Sequence, residues 1–566
     1  MQNNNKLEIA RLIKIEGMTE KDIYNLINIP PDNKMGDYAL PCFQFAKVLR
    51  KSPKQIAEDI TKDIQDKIQA PLKRVEAVNG YVNFFVDKVY VGKKLLSQII
   101  EKGKNFGDNK KGQNKTVCID YSSINIAKPF HIGHLLTTVI GSALYKVYKK
   151  LGYKVVGINH LGDWGTQFGK LIVAFKMWGE RALLEKEGVK YLNTLYVKYH
   201  KESEKNPDLD IGARQYFRKI EDGDKEATEL FNLFKDITLK EVKKTYERLD
   251  VKFDSYNGEA FYNDKMQPVL DELEEKGLLE ESDGAKVVNL SAYNMPPCLL
   301  VKADGATLYA TRDLAAAFYR KKTYDFYKCL YVVAYQQNLH FKQVFKVLEL
   351  MGKDWGVYHI PFGMVSLEDG VMSTRKGKVV LLEDVLDKAV EKSFDIISQK
   401  NPNLENKKQI AEKVGVGAVI FSALYNNRIK DVVFSYDKVL NFEGETGPYV
   451  QYTYARCSSL LKKANETDIE GGLDYEGINN EEAMRVVSLL ERFTEVLIDV
   501  EEKNEPCFIS RYLVNLAQAF NKFYYEHRIN DVEKGMKNAR LMLVKSVRIV
   551  IKEGLRLLGI SAPEQM

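Results

Sequence analysis

Histidine and tryptophan are scarce in this 566-residue sequence, at seven and three, so histidines that gather in one place ask for a chemical reason. Cysteine is too sparse for a disulfide framework. The six (Cys42, Cys118, Cys298, Cys329, Cys457, Cys507) stand singly, with no C-x-x-C pair and no His/Cys group at zinc-ligand spacing. Their scatter excludes a zinc module and predicts a reduced, intracellular protein. No apolar run approaches the roughly 18 residues of a membrane span, and "MQNNNKLEIARLIKIEG" lacks the apolar core of a signal peptide; the expected location is the cytoplasm. There is no repeat array and no low-complexity tract. The net charge of +6 and pI near 8.6 suit a polyanionic partner but equally suit lysine used for solubility. Locally the charge is more informative: Arg511 to Arg556 holds ten Lys+Arg against four Asp+Glu, whereas Glu466 to Glu505 is acidic.

What is present divides into three segments. Residues 1–110 read as a small α+β module. Within "SPKQIAEDITKDIQDKI", Ser52 is an N-cap, Pro53 suits the first helical position, and Gln55 completes a capping box. Ile56, Ile60, Ile64 and Ile68 then mark one buried face, and "VEAVNGYVNFFVD" reads as strands around Asn79-Gly80. Residues 111–440 alternate strand and helix: "TVCIDYSS", the helical "HLLTTVIGSALYKVYKKLG", "YKVVGINHLG", and later "LYVVAY", "LHFKQVFKVLELMG", "VYHIPFG". Strand, helix, strand in that order predicts βαβ units and a parallel sheet, divided by a charge-rich, mainly helical insertion at about 170–299. Residues 441–566 read as an α-helical bundle. Its last helix carries an apolar stripe of Val544, Val547, Ile551, Leu555 and Leu558, with Lys545, Arg548, Lys552 and Arg556 on another face. The fold class is therefore α/β, a Rossmann-like parallel-sheet domain with flanking modules.

Two of the seven histidines fall in "NIAKPFHIGH", just after a strand of that sheet. Ligands of open parallel sheets bind beyond the carboxyl ends of the strands, where helix starts attract anions. Gly133 would let a nucleotide approach the backbone, and His131 and His134 can donate hydrogen bonds to phosphate oxygens as charge develops in a transition state. The plainer alternative is a histidine pair that caps the helix. Far downstream, "MSTRKGKVV" places Met372, Ser373, Thr374, Arg375 and Lys376 before Gly377. A small cationic loop of this kind can steady a departing pyrophosphate; an exposed basic turn is the alternative.

Together these stretches resemble the HIGH and KMSKS signatures of class I aminoacyl-tRNA synthetases, and their surroundings resemble the arginyl-tRNA synthetase family. "SSINIAKPFHIGH", "HLGDWGTQFG", "YATRDLAAA", "YVVAYQQNLHF", "MSTRKG" and "GPYVQYTYAR" occur in the family's order, and "GDYALPCFQFAKVLRKSPKQIAEDI" and "LLGISAPEQM" extend the likeness over nearly the whole chain. Four positions depart from the pattern: Leu136 and Thr137 stand where "RS" or "RT" is usual, Ile124 replaces a proline, and Thr374 replaces the second KMSKS lysine, for which Lys128 compensates in this family.

The resemblance implies an arginine–tRNA ligase that activates L-arginine with ATP and Mg²⁺, without zinc, and passes arginine to the terminal adenosine of tRNA(Arg). It implies a monomer with no membrane attachment, and a need for bound tRNA before activation. Lys128, His131, His134 and Lys376 become the catalytic set, with Gly133, Met372, Ser373, Thr374 and Arg375 completing the ATP site. Ser123, Asn125, His134, Tyr309, Asp313 and Gln337 become the arginine site, Asp313 being the guanidinium partner and Asp120 adding negative potential. The first module is expected at the tRNA elbow. The bundle is expected at the anticodon, with Tyr449, Tyr452 and Tyr454 as stacking platforms and Lys545, Arg548 and Lys552 on phosphates; core packing and a solvated face are the alternatives for these six.

Overall fold

A computed structural model describes residues 4–32, 35–367, 380–464 and 472–566. The amino-terminal module has its own apolar core, in which Ile9, Ile23, Leu40, Ile56, Ile64, Val82 and Phe84 meet. Its antiparallel sheet places Tyr81–Val86 between Tyr38–Pro41 and Leu72–Val78. Asn79 and Gly80 turn the chain with φ of 50° and 82°, the left-handed geometry a two-residue hairpin needs. Ser52 caps the Pro53–Gln65 helix by accepting from the Gln55 N–H at 3.2 Å. The other half of the expected capping box is not made, because the Gln55 amide donates instead to Asp59 at 3.0 Å.

Four parallel strands form the central sheet, in the order Val357–His359, Lys328–Tyr331, Thr116–Asp120 and Lys154–Ile158. The halves that the insertion separates in sequence are thus joined at Thr116–Asp120, which pairs with a strand from each. Alternation along that strand sends Val117, Ile119 and Tyr121 to one apolar cluster and Cys118 to another, with Cys329, Tyr331 and Phe341. The Leu135–Lys150 helix crosses the first face closely because Gly141 has no side chain: a β-carbon there would lie 2.2 Å from the Tyr121 ring. The insertion supplies the helices Gln167–Trp178, Arg181–Ser203, Asp208–Glu221 and Lys225–Arg248, then a small antiparallel sheet of Glu280–Ser282, Ala285–Val288 and Cys298–Val301.

The carboxy-terminal helices share a continuous core with the catalytic sheet, running from Val117 and Ile140 to Leu497, Leu513 and Ile551. Three ion pairs on two buried carboxylates reinforce it. Lys150 meets Glu553 at 2.9 Å, and Glu501, 2% exposed, takes Lys111 at 2.7 Å and Lys328 at 2.9 Å. The Lys534–Leu557 helix is enclosed on more of its circumference than its stripe predicted, since Leu543, Val550 and Leu557 are buried too. Lys545 and Arg548 are accordingly half-buried, Lys552 is exposed, and Arg556 forks onto Glu553. No helix among the described residues is long and apolar enough to cross a membrane.

Burial alone would raise the Glu501 carboxyl, but Lys111 and Lys328 outweigh it and hold it below the ordinary glutamate range. A carboxyl depressed on folding contributes stability above its unfolded pKa and loses it as pH falls through the folded value. Glu501→Gln is expected to lower the unfolding free energy by roughly 3 kcal/mol at neutral pH, and this deficit should shrink below about pH 4. Chemical denaturation at several pH values checks it; a neutral-pH midpoint equal to that of the parent would refute the weld.

Candidate active site

The His131–His134 turn lies just beyond the carboxyl end of Thr116–Asp120, as a short 3₁₀ turn leading into the Leu135–Lys150 helix. Its two imidazoles do cap it. His131 Nδ1 accepts from the Gly133 N–H at 3.1 Å, and His134 Nδ1 accepts from the His131 N–H at 3.3 Å. Capping and chemistry are compatible because a ring has two nitrogens. With Nδ1 acting as acceptor, the proton of the neutral ring sits on Nε2, which becomes a donor. The rings lie 4.0 Å apart. Burial lowers both pKa values, with Lys128 adding to the effect at His131, while at His134 burial and the His131 charge bring the value to about 3. Near neutral pH the turn therefore offers two uncharged N–H donors beside the exposed Lys128 ammonium.

The loop that delivers this turn is held under backbone strain. Ser122, Ser123 and Ala127 have φ of 70°, 44° and 60°, each costing roughly 1–3 kcal/mol for a residue with a side chain. Hydrogen bonds from neighbouring elements maintain the conformation. Thr137 Oγ1 accepts from the Ser122 N–H at 3.0 Å while donating to the Val332 carbonyl at 2.7 Å, and Thr238 Oγ1 accepts from the Ala127 N–H at 3.0 Å. Thr137, a departure from the family pattern, is thus a buried brace of the loop. Ile124, another, is 2% exposed in the core. Gly162, after the adjacent strand, bridges to Asn125, and a β-carbon on it would lie 2.2 Å from Asn125 Oδ1.

Beside the turn lies a more acidic region. Ser123 Oγ donates to Asp120 Oδ1 at 2.8 Å, and Asp120 Oδ2 accepts from Arg320 Nη2 at 2.6 Å. Asp120 therefore does not supply free negative potential: a buried guanidinium compensates it. Asp313 Oδ2 is 2.6 Å from His340 Nε2, so the carboxylate has a partner from the helix that follows the Lys328–Tyr331 strand. Burial works against ionisation of Asp313, but His340, His160 and Arg320 hold its carboxyl below the usual range. Glu259, which motif reading missed, behaves in the opposite way. Burial, with Asp313 and Asp163 adding and Arg312 opposing, pushes its carboxyl up to about 7. Its signal in the sequence was only an acid in an unremarked insertion loop.

Tyr309 is 66% exposed at the first turn of the Tyr309–Tyr324 helix, one turn before Asp313, and Gln337 is exposed on the Tyr335–Gln337 turn. Neither is brought into contact with the cluster. Met372, Ser373, Thr374, Arg375 and Lys376 lie outside the described residues. The described chain resumes at Val380, whose carbonyl accepts from the Ile132 N–H at 3.1 Å, and Leu382 N–H donates to the Phe130 carbonyl at 3.0 Å. In the helical bundle, Tyr454 is 1% exposed, so its ring is core and offers no stacking face. Tyr449 is half-buried, its hydroxyl accepting from Asn521 at 3.0 Å. Tyr452 is exposed, and the Arg456 guanidinium lies 4.9 Å from its ring and 5.0 Å from that of Tyr524, an arrangement no motif had indicated. The Glu482, Glu526 and His527 group, close enough to share a cation, belongs to the bundle, not to this turn.

Comparison with known proteins agrees with this geometry. Residues 95–436 match the model for the catalytic domain of class I (R) tRNA synthetases, 5–86 the arginyl-tRNA synthetase N-terminal domain, and 450–566 the DALR anticodon-binding domain. The arginine–tRNA ligase of Alkaliphilus metalliredigens is 52% identical over 565 residues, covering 99% of each chain. That of Clostridioides difficile is 51% identical over 555 residues, covering 98% of each. The Thermus thermophilus arginyl-tRNA synthetase structure superposes with a TM-score of 0.82 at 25% identity, covering 100% of both chains.

Two outcomes follow from the geometry. In ¹⁵N spectra both imidazoles of the turn should be Nε2–H tautomers, with His134 still neutral at about pH 5; a titration of His134 near the free-histidine value would contradict its burial. Gly162→Ala should displace Asn125 and abolish most activity while leaving the far-UV spectrum intact, and a fully active variant would show that Asn125 is not held as described.

Proposed function

Because the chain belongs to the class I arginyl-tRNA synthetases, we infer that it ligates arginine to tRNA in two steps at the His131–His134 turn. The arginine carboxylate attacks the ATP α-phosphorus; its O–P bond forms as the bond to the bridging oxygen breaks, giving arginyl-adenylate and pyrophosphate. The 2′-hydroxyl of the terminal adenosine of tRNA(Arg) then attacks the acyl carbon and releases AMP. The observation that carries the reading is the pair of neutral Nε2–H donors presented at a helix start on the carboxyl edge of the parallel sheet, with an acidic region alongside.

The residues divide by chemistry. His131 and His134 donate to phosphate oxygens whose charge grows in the transition state, and neutral donors suit this because they do not bind the ground-state triphosphate as strongly as cations would. Lys128 adds a cation beside them. Lys376, with Met372, Ser373, Thr374 and Arg375, is assigned from residue type to the departing pyrophosphate. The pinning of Val380 and Leu382 on the turn, where the described chain resumes, supports that assignment. Magnesium arrives on the ATP phosphates, neutralising their charge; the imidazoles and ammonium at the turn form no carboxylate cage of their own.

Arginine needs an anion for its guanidinium and an acceptor for its ammonium. Asp313, with Oδ2 held by His340, leaves Oδ1 for a guanidinium N–H, and Glu259 stands close enough to be ionised by the same cation. Ser123 donates to Asp120, so its oxygen lone pairs remain for the α-ammonium. Asn125, Tyr309 and Gln337 line the rim. In the bundle, Tyr452 and Lys552 are the exposed members of the sets assigned to tRNA; Lys545 and Arg548 stand behind them. The enzyme is read as a cytoplasmic monomer, and six buried thiols outside any disulfide suit a reducing compartment.

The test is ATP–pyrophosphate exchange with arginine or lysine, with and without tRNA. Exchange is expected with arginine and tRNA together, and exchange with lysine alone would overturn the assignment. Asp313→Asn should raise KM for arginine by about 100-fold with KM for ATP nearly unchanged; an equal rise in both would remove Asp313 from guanidinium recognition.

A further inference from the structure

Arg320 is the largest side chain that is fully enclosed, at 1% exposure. One nitrogen, Nη2, is 2.6 Å from Asp120 Oδ2 and 3.3 Å from His160 Nδ1, while Nε and Nη1 have no hydrogen-bond partner among the described residues. Its other neighbours are the Tyr331 ring, 5.2 Å away, and the Tyr262 side chain, with which it interacts. A guanidinium buried with two donor groups unmet is a poor device for stability, so its value lies in what it holds.

We propose that Arg320 is a positioning residue for arginine binding, fixing the hydrogen-bond polarity of Ser123 through Asp120 and of His160 directly. The proposal rests on reading this pocket as the amino-acid site. A guanidinium has only donors. Whatever it touches must accept, so Asp120 stays an acceptor on both oxygens, and the Ser123 proton is drawn onto Oδ1. The Ser123 oxygen then faces outward as an acceptor. By the same logic His160 Nδ1 accepts and its proton sits on Nε2. His160 stacks against Tyr262 with ring centroids 5.5 Å apart and lies near enough to Asp313 to interact with it. Arg320 follows Asp313 by seven residues, two turns along one helix face. One helix thus supplies both the carboxylate that meets substrate and, two turns away, the cation that organises the rest of the pocket.

A double-mutant cycle in the full-length enzyme tests this, read by KM for arginine and for ATP in exchange with tRNA present, and by the ¹⁵N shifts of His160. Arg320→Lys keeps the charge but loses the planar fork. It is expected to raise KM for arginine roughly tenfold, leave KM for ATP within about twofold, and mix the His160 tautomers. In a Ser123→Ala background the same change should add less than about twofold, because the group being oriented is gone. Equal effects in both backgrounds with an unchanged His160 tautomer would overturn the proposal and leave Arg320 as core. If Ser123→Ala itself leaves KM for arginine unmoved, the pocket reading fails, which the ¹⁵N shifts of Arg320→Lys distinguish from failure of the positioning role. Should Arg320→Lys not fold, Arg320→Met with Asp120→Asn removes both charges together, and the same readouts decide.

Discussion

The buried contact between Arg320 and Asp120 is the constraint from which the substrate side of this site is organised. It ties a helix that follows the insertion to the last residue of the central strand, across 200 positions of sequence. The strand ends there and the strained Ser122–Ala127 loop begins, so the ion pair fixes the point from which the loop departs. Thr137 and Thr238 then hold the loop from two further helices. Left-handed backbone at residues with side chains persists only where the surroundings over-determine it, and here a sheet edge, a crossover helix and the insertion all contribute. The same logic explains why the insertion is helical and closely packed: it is a wall of the site as well as an interruption.

The other end of the sheet is organised by opposite means. Glu501 and Glu553 reach from the helical bundle to lysines at and around the amino ends of the strands and at the end of the Leu135–Lys150 helix. The carboxylates of these pairs are almost fully enclosed; Glu501 also accepts from the Tyr153 hydroxyl and Lys150 also donates to the Lys104 carbonyl, and such added hydrogen bonds are the condition under which a buried pair repays its desolvation. Together with the shared apolar core, they make the bundle and the catalytic sheet one mechanical unit. A contact made on the bundle surface, around Tyr452 and Arg456, is therefore coupled to the sheet through side chains with little freedom. The amino-terminal module has a core of its own and meets the bundle through polar contacts such as Asn5 to Glu491 at 3.0 Å, while Leu95, Leu96 and Ile99 near its end join the shared core.

Much of this was legible in the sequence because it depends on local rules. The parallel sheet follows from strand–helix–strand order, the Asn79-Gly80 hairpin from turn chemistry, and the place of the His131–His134 turn from the strand before it. What was not legible depends on pairing across long separations. Asp120 looked like a free carboxylate because nothing near it in sequence announces Arg320. Glu259 was invisible because its raised pKa arises from burial, to which carboxylates that are neighbours only in space add. Tyr454 and the basic stripe misled for a related reason: helical periodicity assigns faces but does not say how many of them a crowded bundle encloses. Gln55 shows the same limit at short range, where the Asp59 carboxylate, an acceptor, draws an amide that the Ser52 N–H, a donor, also needs.

The small number of histidines now has an explanation. Five of the seven, His131, His134, His160, His340 and His359, have a ring nitrogen engaged around the carboxyl edge of the sheet. In three of them a donor that cannot reverse its role, a backbone N–H or a guanidinium, occupies Nδ1; in His359 the Val333 carbonyl, which can only accept, lies 2.9 Å from Nε2. A neutral imidazole donates through one ring nitrogen and accepts through the other, and it stays uncharged near neutral pH once burial lowers its pKa. A site that must meet a triphosphate and a cationic amino acid within a few ångströms needs donors whose charge does not repel the second ligand. Lysine or arginine in place of His131 or His134 would serve the phosphates but oppose the guanidinium, and serine would reach neither as far nor in a fixed direction. Fixing each tautomer through its second nitrogen is what converts an ambiguous ring into a directed one.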